Sequence, residues 1–231
     1  MSFTCKRLLI RTPSQTLVDI EFSFEKSFAL IGQSGSGKSL TLKALLGMLP
    51  TTLSVDISIE APYAIERGKS IAMVPQNPFT ALSPLTKIAK QFGSKMDVAH
   101  TYLEMVELDK DFLNRFPSEL SGGQLQRIII AMALAIEPKL LLLDEPTTAL
   151  DEESKERILH LLQRLQKEHQ FDILFVTHDI ATIEGICDEM GILKHGKMVE
   201  RGATKDILHR PSEAYTKELL NAGFKHRSFR T

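Results

Sequence analysis

The sequence predicts an α/β fold whose core carries a glycine-rich loop, with an N-terminal antiparallel β part and a helical insertion. Three observations predict it. Gly32 to Ser39 reads GQSGSGKS and fits the pattern G-x-x-x-x-G-K-[ST]. Apolar runs of strand length at Phe28 to Ile31, Ile71 to Val74, Lys139 to Asp144 and Asp172 to Val176 are separated by segments of helical period. Between the second and third of these, residues from about 77 to 130 change to helical segments punctuated by Pro78, Pro84 and Pro117.

The glycine-rich stretch has the flanks its chemistry needs. A buried strand, Phe28 to Ile31, leads into it, and a helix from Leu40 to Leu46, ending at Gly47, follows it. Gly32, Gly35 and Gly37, with Gln33, Ser34 and Ser36 between them, let the backbone wrap a polyphosphate with its N–H groups inward. The N-terminus of that helix, where Lys38 and Ser39 precede Leu40, adds about half a positive charge. Lys38 reaches the outer phosphates and the Ser39 hydroxyl ligates Mg²⁺. This chemistry takes a nucleoside triphosphate.

Composition narrows the class. The chain has 231 residues, enough to bury a core, and its net charge of −1 gives no electrostatic reason to expect nucleic acid. Cys5 and Cys187 stand in no metal spacing, so a reducing cytoplasm is the expectation. The N-terminus lacks a signal-peptide stretch, and the longest apolar run, Ile128 to Ile136, falls short of the about 20 residues that cross a bilayer. Any membrane role is expected to come through a partner.

In chain order, Leu8 to Ile10 and the alternating Leu17 to Phe24 read as antiparallel strands, and Val55 to Ile59 alternates again. Ile71 to Val74 delivers Gln76 at its C-terminal end. Ile88 to Phe92 and Val98 to Leu108 read as helices, and Gln124 to Ala135 as a buried one, apolar almost all round. Glu153 to Glu168 is amphipathic, with Ile158, Leu161, Leu162 and Leu165 on one face. Ile180 to Ile186 reads as helical, Met190 to Leu193 and Met198-Val199 as a hairpin about His195-Gly196, and Ser212 to Asn221 as a final helix. The basic tail, Lys225 to Arg230, is expected to fray.

Taken together, GQSGSGKS, Gln76, Leu120-Ser121-Gly122-Gly123-Gln124, Leu140 to Glu145 and His178 resemble the nucleotide-binding domain of ATP-binding-cassette (ABC) proteins, in that family's order. The resemblance implies a single domain over residues 1–231, an ABC-type P-loop NTPase with residues 77–130 inserted as a helical subdomain in a RecA-like core. It implies ATP and Mg²⁺ as cofactors. Asp144, with Ser39 and Gln76, would hold Mg²⁺. Glu145 would polarise the attacking water, His178 would contact the γ-phosphate, and Gln76 would sense both metal and γ-phosphate. Ser121, Gly122, Gly123 and Gln124 would complete the ATP site of the opposite subunit, and Asp151, in the loop Ala149-Leu150-Asp151, would run along that dimer interface. A lone chain is therefore expected to hydrolyse ATP poorly.

Three further stretches resemble the importer ATPases for peptides, nickel and metal chelates: Val74 to Pro78 with Ala81 to Pro84; Leu125 to Arg127 with Ala131 to Ala133; and Gly196 to Gly202 with His209 to Pro211 and Ala214 to Lys217. Gly37 to Thr41 and Leu45 to Pro50 lean towards the nickel-type subunits. The expected function is the ATP-hydrolysing subunit of such an importer, peripheral on the cytoplasmic face of the cell membrane. The resemblance implies integral-membrane permease subunits, a second ATPase subunit (a heterodimer, or else a homodimer) and a solute-binding protein as partners, and no nucleic acid. An exporter ATPase, or a soluble non-transport ABC ATPase, is the alternative. One departure stands out. Many members stack adenine on an aromatic residue ahead of the phosphate loop, but Arg11-Thr12-Pro13-Ser14-Gln15 holds none.

Overall fold

The computed structural model describes residues 2–93, 96–148 and 150–224. The expected fraying of the basic tail falls outside those residues, as does Ala149. The chain divides into two compact units, Met1–Ile65 with Asp172–Thr231, and Glu66–Phe171.

The first unit is built on a mixed sheet. Its strands are β1 (Phe3–Arg11), β2 (Thr16–Phe24), β3 (Ser27–Ile31) and, after helix α1 (Lys38–Leu45), β4 (Ser54–Glu60). β1 pairs antiparallel with β2 and with β4, as the alternating residues of the N-terminal part predict. Inward positions of β1 and β2 carry Phe3, Phe22 and Phe24, which gather with Phe28 of β3 into one aromatic cluster; the Phe22 and Phe28 ring centroids lie 5.4 Å apart. Outward positions carry charges: Arg7 reaches Asp56 at 3.0 Å, and Lys6 pairs with Glu60.

In the second unit, β5 (Ile71–Val74) and β6 (Leu140–Asp144) pair in parallel. Between them run α2 (Pro78–Ala81), α3 (Ile88–Gln91), α4 (Met96–Met105) and α5 (Gly122–Leu134), and α6 (Glu152–His169) follows β6. α5 packs against α2, α4, α6 and β5, which is why its sequence is apolar almost all round. The helix expected over Val98 to Leu108 stops at Met105. Glu107 takes a left-handed φ of 59°, while the Glu107 and Leu108 amides bond back to Glu104 and Leu103. That pattern closes a helix by a Schellman turn, here without the usual glycine. Two arginines secure the turn: Arg127 donates to the Glu107 carbonyl at 2.9 Å, and Arg164 to that of Met105 at 2.8 Å.

The chain then re-enters the first unit with β7 (Asp172–Thr177), β8 (Glu189–Lys194), β9 (Lys197–Ala203), α7 (Thr204–His209) and α8 (Ala214–Phe224). The strand order there is β4-β1-β2-β9-β8-β3-β7, so β3 lies between two parallel neighbours, β8 and β7. The hairpin expected about His195-Gly196 is present, with φ of 47° and 75° at the two turn residues, the double positive φ of a type I′ turn. The helix expected over Ile180 to Ile186 is absent. Only a 3-10 turn, Ile180–Thr182, forms there. Ile180, Ile183 and Ile186 are buried at a spacing of three, the period of a 3-10 turn, and Gly185, at φ 83°, breaks any regular helix before Ile186. α7 has no counterpart among the expected elements. Among the described residues, no helix is long and apolar enough to cross a membrane.

Candidate nucleotide site

In the first unit, β3 ends at Ile31 and α1 begins at Lys38, with the phosphate loop between them. The turn is tight because of its glycines. Gly35 and Gly37 take φ of 77° and 109°, and a Cβ on Gly32 would lie 2.3 Å from the carbonyl oxygen of Leu193. Any side chain at position 32 would have to displace backbone. The loop is also held from outside, since the Gly196 N–H of the β8–β9 turn donates to the Ser36 carbonyl at 3.0 Å. Gly196 in turn admits no Cβ, which would meet the Leu17 carbonyl oxygen at 2.1 Å.

The loop's polar groups suit a polyphosphate. Lys38 is buried, and its Nζ donates to the carbonyls of Gly32 at 2.7 Å and Gln33 at 3.1 Å. The ammonium is therefore gathered into the concavity of the loop. The Ser36 hydroxyl is buried with no hydrogen-bond partner, an orphan polar atom that a bound group would satisfy. Gln33, Ser34 and Gly35 are exposed at the tip, and Ser39 and Leu40 are half-buried in the first turn of α1. A nucleotide's phosphates fit these residues. The same unit carries His178 at the end of β7, with its side chain exposed.

The second unit brings together Gln76 and Glu145. Gln76 follows β5, Glu145 follows β6, and the parallel pairing of those strands sets their ends side by side. Gln76 Nε2 donates to Glu145 Oε2 at 3.1 Å. Thr148 Oγ1 donates to the same oxygen, also at 3.1 Å. Glu145 is one of few non-glycine residues with positive φ, 46°. Asp144, one residue earlier, is buried at the end of four buried leucines. A buried carboxylate at that place suits a hard cation that keeps its waters and takes its remaining ligands from phosphates, as Mg²⁺ does. Among the described residues, no group of three or more His, Cys, Asp or Glu side chains could hold a metal ion by itself.

Ser121 caps α5. Its side chain accepts from the Gln124 N–H at 3.3 Å, and the Gln124 side chain accepts from the Ser121 N–H at 3.0 Å. This reciprocal pair leaves Gly122 and Gly123 half-buried at the open helix end. Close packing dictates the second glycine, whose Cβ would lie 2.9 Å from the Ser154 hydroxyl. Asp151 caps α6, accepting from Ser154 N–H and from Ser154 Oγ, both at 2.9 Å. Those hydrogen bonds, the backbone one first, hold the Asp151 carboxyl below its ordinary range.

Sequence reasoning missed three contributors: Thr148, Leu193 and Gly196. Only the glycine in a turn dipeptide gave a signal for the last. Both cysteines are buried, and burial pushes the Cys5 thiol up to about 11 and the Cys187 thiol well above its ordinary value.

Comparison with known proteins shows the following. Residues 17–148 match the family described as ABC transporter. The chain is 36% identical over 260 aligned positions to the metal-staphylopine import system ATP-binding protein CntD of Staphylococcus aureus, covering 96% of both chains. It is 35% identical over 235 positions to the oligopeptide transport ATP-binding protein OppD of Bacillus subtilis, covering 89% of this chain and 66% of that one. Among solved structures, cbiO1 from Clostridium perfringens, part of the ABC transporter complex cbiONQ, matches with a TM-score of 0.75 at 25% identity over 90% of each chain.

Proposed function

The chain belongs to the ABC transporter family, whose ATP-binding subunits hydrolyse ATP, and on that premise we propose that it energises an importer of metal chelates or peptides. The observation that carries the import reading is the full-length likeness to a metal-staphylopine import ATPase. Nickel is the metal towards which the phosphate-loop and Leu45 to Pro50 sequences lean.

The residues take the following parts. Gly32, Gln33, Ser34, Gly35, Ser36, Gly37, Lys38, Ser39 and Leu40 bind the phosphates, with backbone N–H groups and the α1 N-terminus facing the charge. Asp144, with Ser39 and Gln76, would hold Mg²⁺, which when bound would supply positive charge to the phosphates. Glu145 draws the proton of the attacking water. Hydrogen bonds from Gln76 and Thr148 orient its carboxylate beforehand, so orientation does not have to be achieved during the reaction. His178 contacts the γ-phosphate. The Ser121 to Gln124 cap offers its open N–H groups to the nucleotide of an opposite ATPase subunit, and Asp151 lies along that interface. The subunit works with integral-membrane permeases, a second ATPase subunit and a solute-binding protein, peripherally at the membrane. Residues 1–231 act as one nucleotide-binding domain, in which 77–130 form the helical subdomain.

The test is ATP hydrolysis by the complex purified from membranes with the permease subunits, with and without substrate-loaded binding protein. Stimulation by the loaded binding protein is expected. Hydrolysis indifferent to it, but stimulated by substrate added on the cytoplasmic side, would turn the assignment to export.

A further inference from the structure

Two stretches of the sequence have no part in the chemistry above: Lys197 to Gly202, and Pro211 to Lys217. The fold joins them. Glu200, on β9, directs its carboxylate at the start of α8. Its Oε1 accepts from the Ser212 N–H at 2.7 Å and from Ser212 Oγ at 2.8 Å, and its Oε2 accepts from the Glu213 N–H at 3.3 Å. Helix starts carry unsatisfied N–H groups and a partial positive charge, so a carboxylate there both caps and complements the dipole. Here a strand supplies that carboxylate. The same hairpin supplies a second tie, since Lys194 Nζ lies 4.4 Å from the centroid of the Tyr215 ring.

The helix held this way supports the segment after His178. α8 buries Thr216 and Leu220, one turn apart, and packs on the Ile180–Thr182 turn. That turn starts two residues after His178 and is anchored by buried Ile180, Thr182 and Ile183. The same hairpin touches the phosphate loop, through Gly196 N–H on the Ser36 carbonyl and the Leu193 carbonyl against Gly32. One hairpin thus contacts both the phosphate loop and α8, and α8 backs the turn that follows His178.

We propose that Glu200 is a positioning residue for ATP hydrolysis: by capping α8 it holds that helix against the 180–182 turn, and so keeps His178 in place relative to the phosphate loop. This rests on the ATPase reading of His178. The brace itself is a matter of structure and can be tested apart from it.

The experiment combines hydrogen–deuterium exchange on the full chain with turnover in the assembled transporter, for wild type, Glu200→Ala and Glu200→Gln. In Glu200→Ala, amides of 178–183 and 214–220 are expected to exchange about tenfold faster, with β1 and β2 unchanged. Its kcat falls about tenfold while KM for ATP stays within about twofold. Glu200→Gln keeps an oxygen to accept the Ser212 N–H and recovers most of both. Should Glu200→Ala not fold, Lys194→Met removes the charge above Tyr215 and gives the same pattern more weakly. Faster exchange at 214–220 with no change at 178–183 overturns the brace. A fall in kcat accompanied by loss of protection throughout the chain overturns the positioning role in favour of a merely structural one. Absence of hydrolysis by the wild-type complex overturns the ATPase reading and Glu200's role in turnover together, leaving the exchange result to decide the brace.

Discussion

Gln76 Nε2 donates to Glu145 Oε2 at 3.1 Å, linking the residue that follows β5 to the one that follows β6. Thr148 fills the same oxygen's second site at 3.1 Å. Glu145 holds this position at φ 46°, a left-handed conformation that costs a non-glycine residue on the order of 1 kcal/mol. Strain of that kind persists only where neighbouring interactions over-determine it, and two donors on one oxygen supply such interactions. Both donors thus fix the orientation of the carboxylate.

From this follows the first expectation. Glu145→Gln should lower turnover of the assembled transporter by about 10²- to 10⁴-fold, the contribution of a general base, while ATP affinity stays within about threefold. Steady-state hydrolysis and equilibrium binding of a fluorescent ATP analogue measure the two. Turnover within tenfold of wild type would remove Glu145 from the chemistry.

The phosphate loop separates two kinds of glycine. Gly32→Ala places a methyl 2.3 Å from a backbone oxygen and should destabilise the chain by about 1–3 kcal/mol, the range for overpacking. Gly35→Ala meets nothing within 4 Å and bears only the cost of its positive φ, about 1 kcal/mol. Urea denaturation should therefore rank Gly32→Ala below Gly35→Ala. Lys38→Ala should weaken ATP binding by about 10- to 150-fold, the loss of a charged hydrogen bond of about 1.5–3 kcal/mol.

Base selectivity should be low. The segment between β1 and β2 is a turn closed by Thr12, whose N–H donates to the Gln15 carbonyl at 2.9 Å and whose hydroxyl accepts from the Gln15 N–H at 3.0 Å. It presents no aromatic ring, which would contribute about 1–3 kcal/mol of stacking. The phosphate contacts, blind to the base, then carry most of the affinity. GTP should compete with labelled ATP nearly as well as unlabelled ATP does. A preference for ATP above about fiftyfold, a difference of about 2.3 kcal/mol, would reveal an adenine-reading group elsewhere.

The Glu200 cap gives a pH dependence of known sign. Burial alone would raise the Glu200 carboxyl, but hydrogen bonds from the start of α8 outweigh it and hold the carboxyl below its ordinary value of 4.5. A lowered folded-state value means the cap's contribution is complete above the ordinary value and is lost as pH falls through the lower one. Protection of the 214–220 amides should therefore weaken on acidification below about pH 4.5 in wild type, beyond the general trend. Glu200→Gln should lack that extra step, and an identical step in the variant would assign it to other carboxylates.

The legible parts of the molecule are those whose partners are close in sequence. GQSGSGKS with its flanks specifies a turn that only glycines allow, and Ser121 with Gln124 writes a capping box within four residues. Alternation in β2 and the leucines of β6 announce one half-buried and one wholly buried strand because burial follows the period of the backbone. The end of α4 was not legible. Glu107 enters the left-handed region with no glycine to signal it, held by arginines 20 and 57 residues away. Nor was the turn at Ile180, where isoleucines three apart suit either helix type until packing chooses.

The sequence by itself determined a phosphate-binding turn between a buried strand and a helix, because that property rests on local backbone geometry and on side chains within a few residues of one another; the likeness to ABC proteins came from the order of motifs along the whole chain. The tertiary structure alone decided that β3 lies between β8 and β7, that Glu145 is oriented by Gln76 and Thr148, that the β8–β9 turn clasps Ser36, and that Glu200 caps α8. Most of these pairings join residues remote in the chain. Their energies are realised only once loop closure and core packing have brought strand ends and helix starts to hydrogen-bond distance, and no local pattern records which acceptor a given donor will meet.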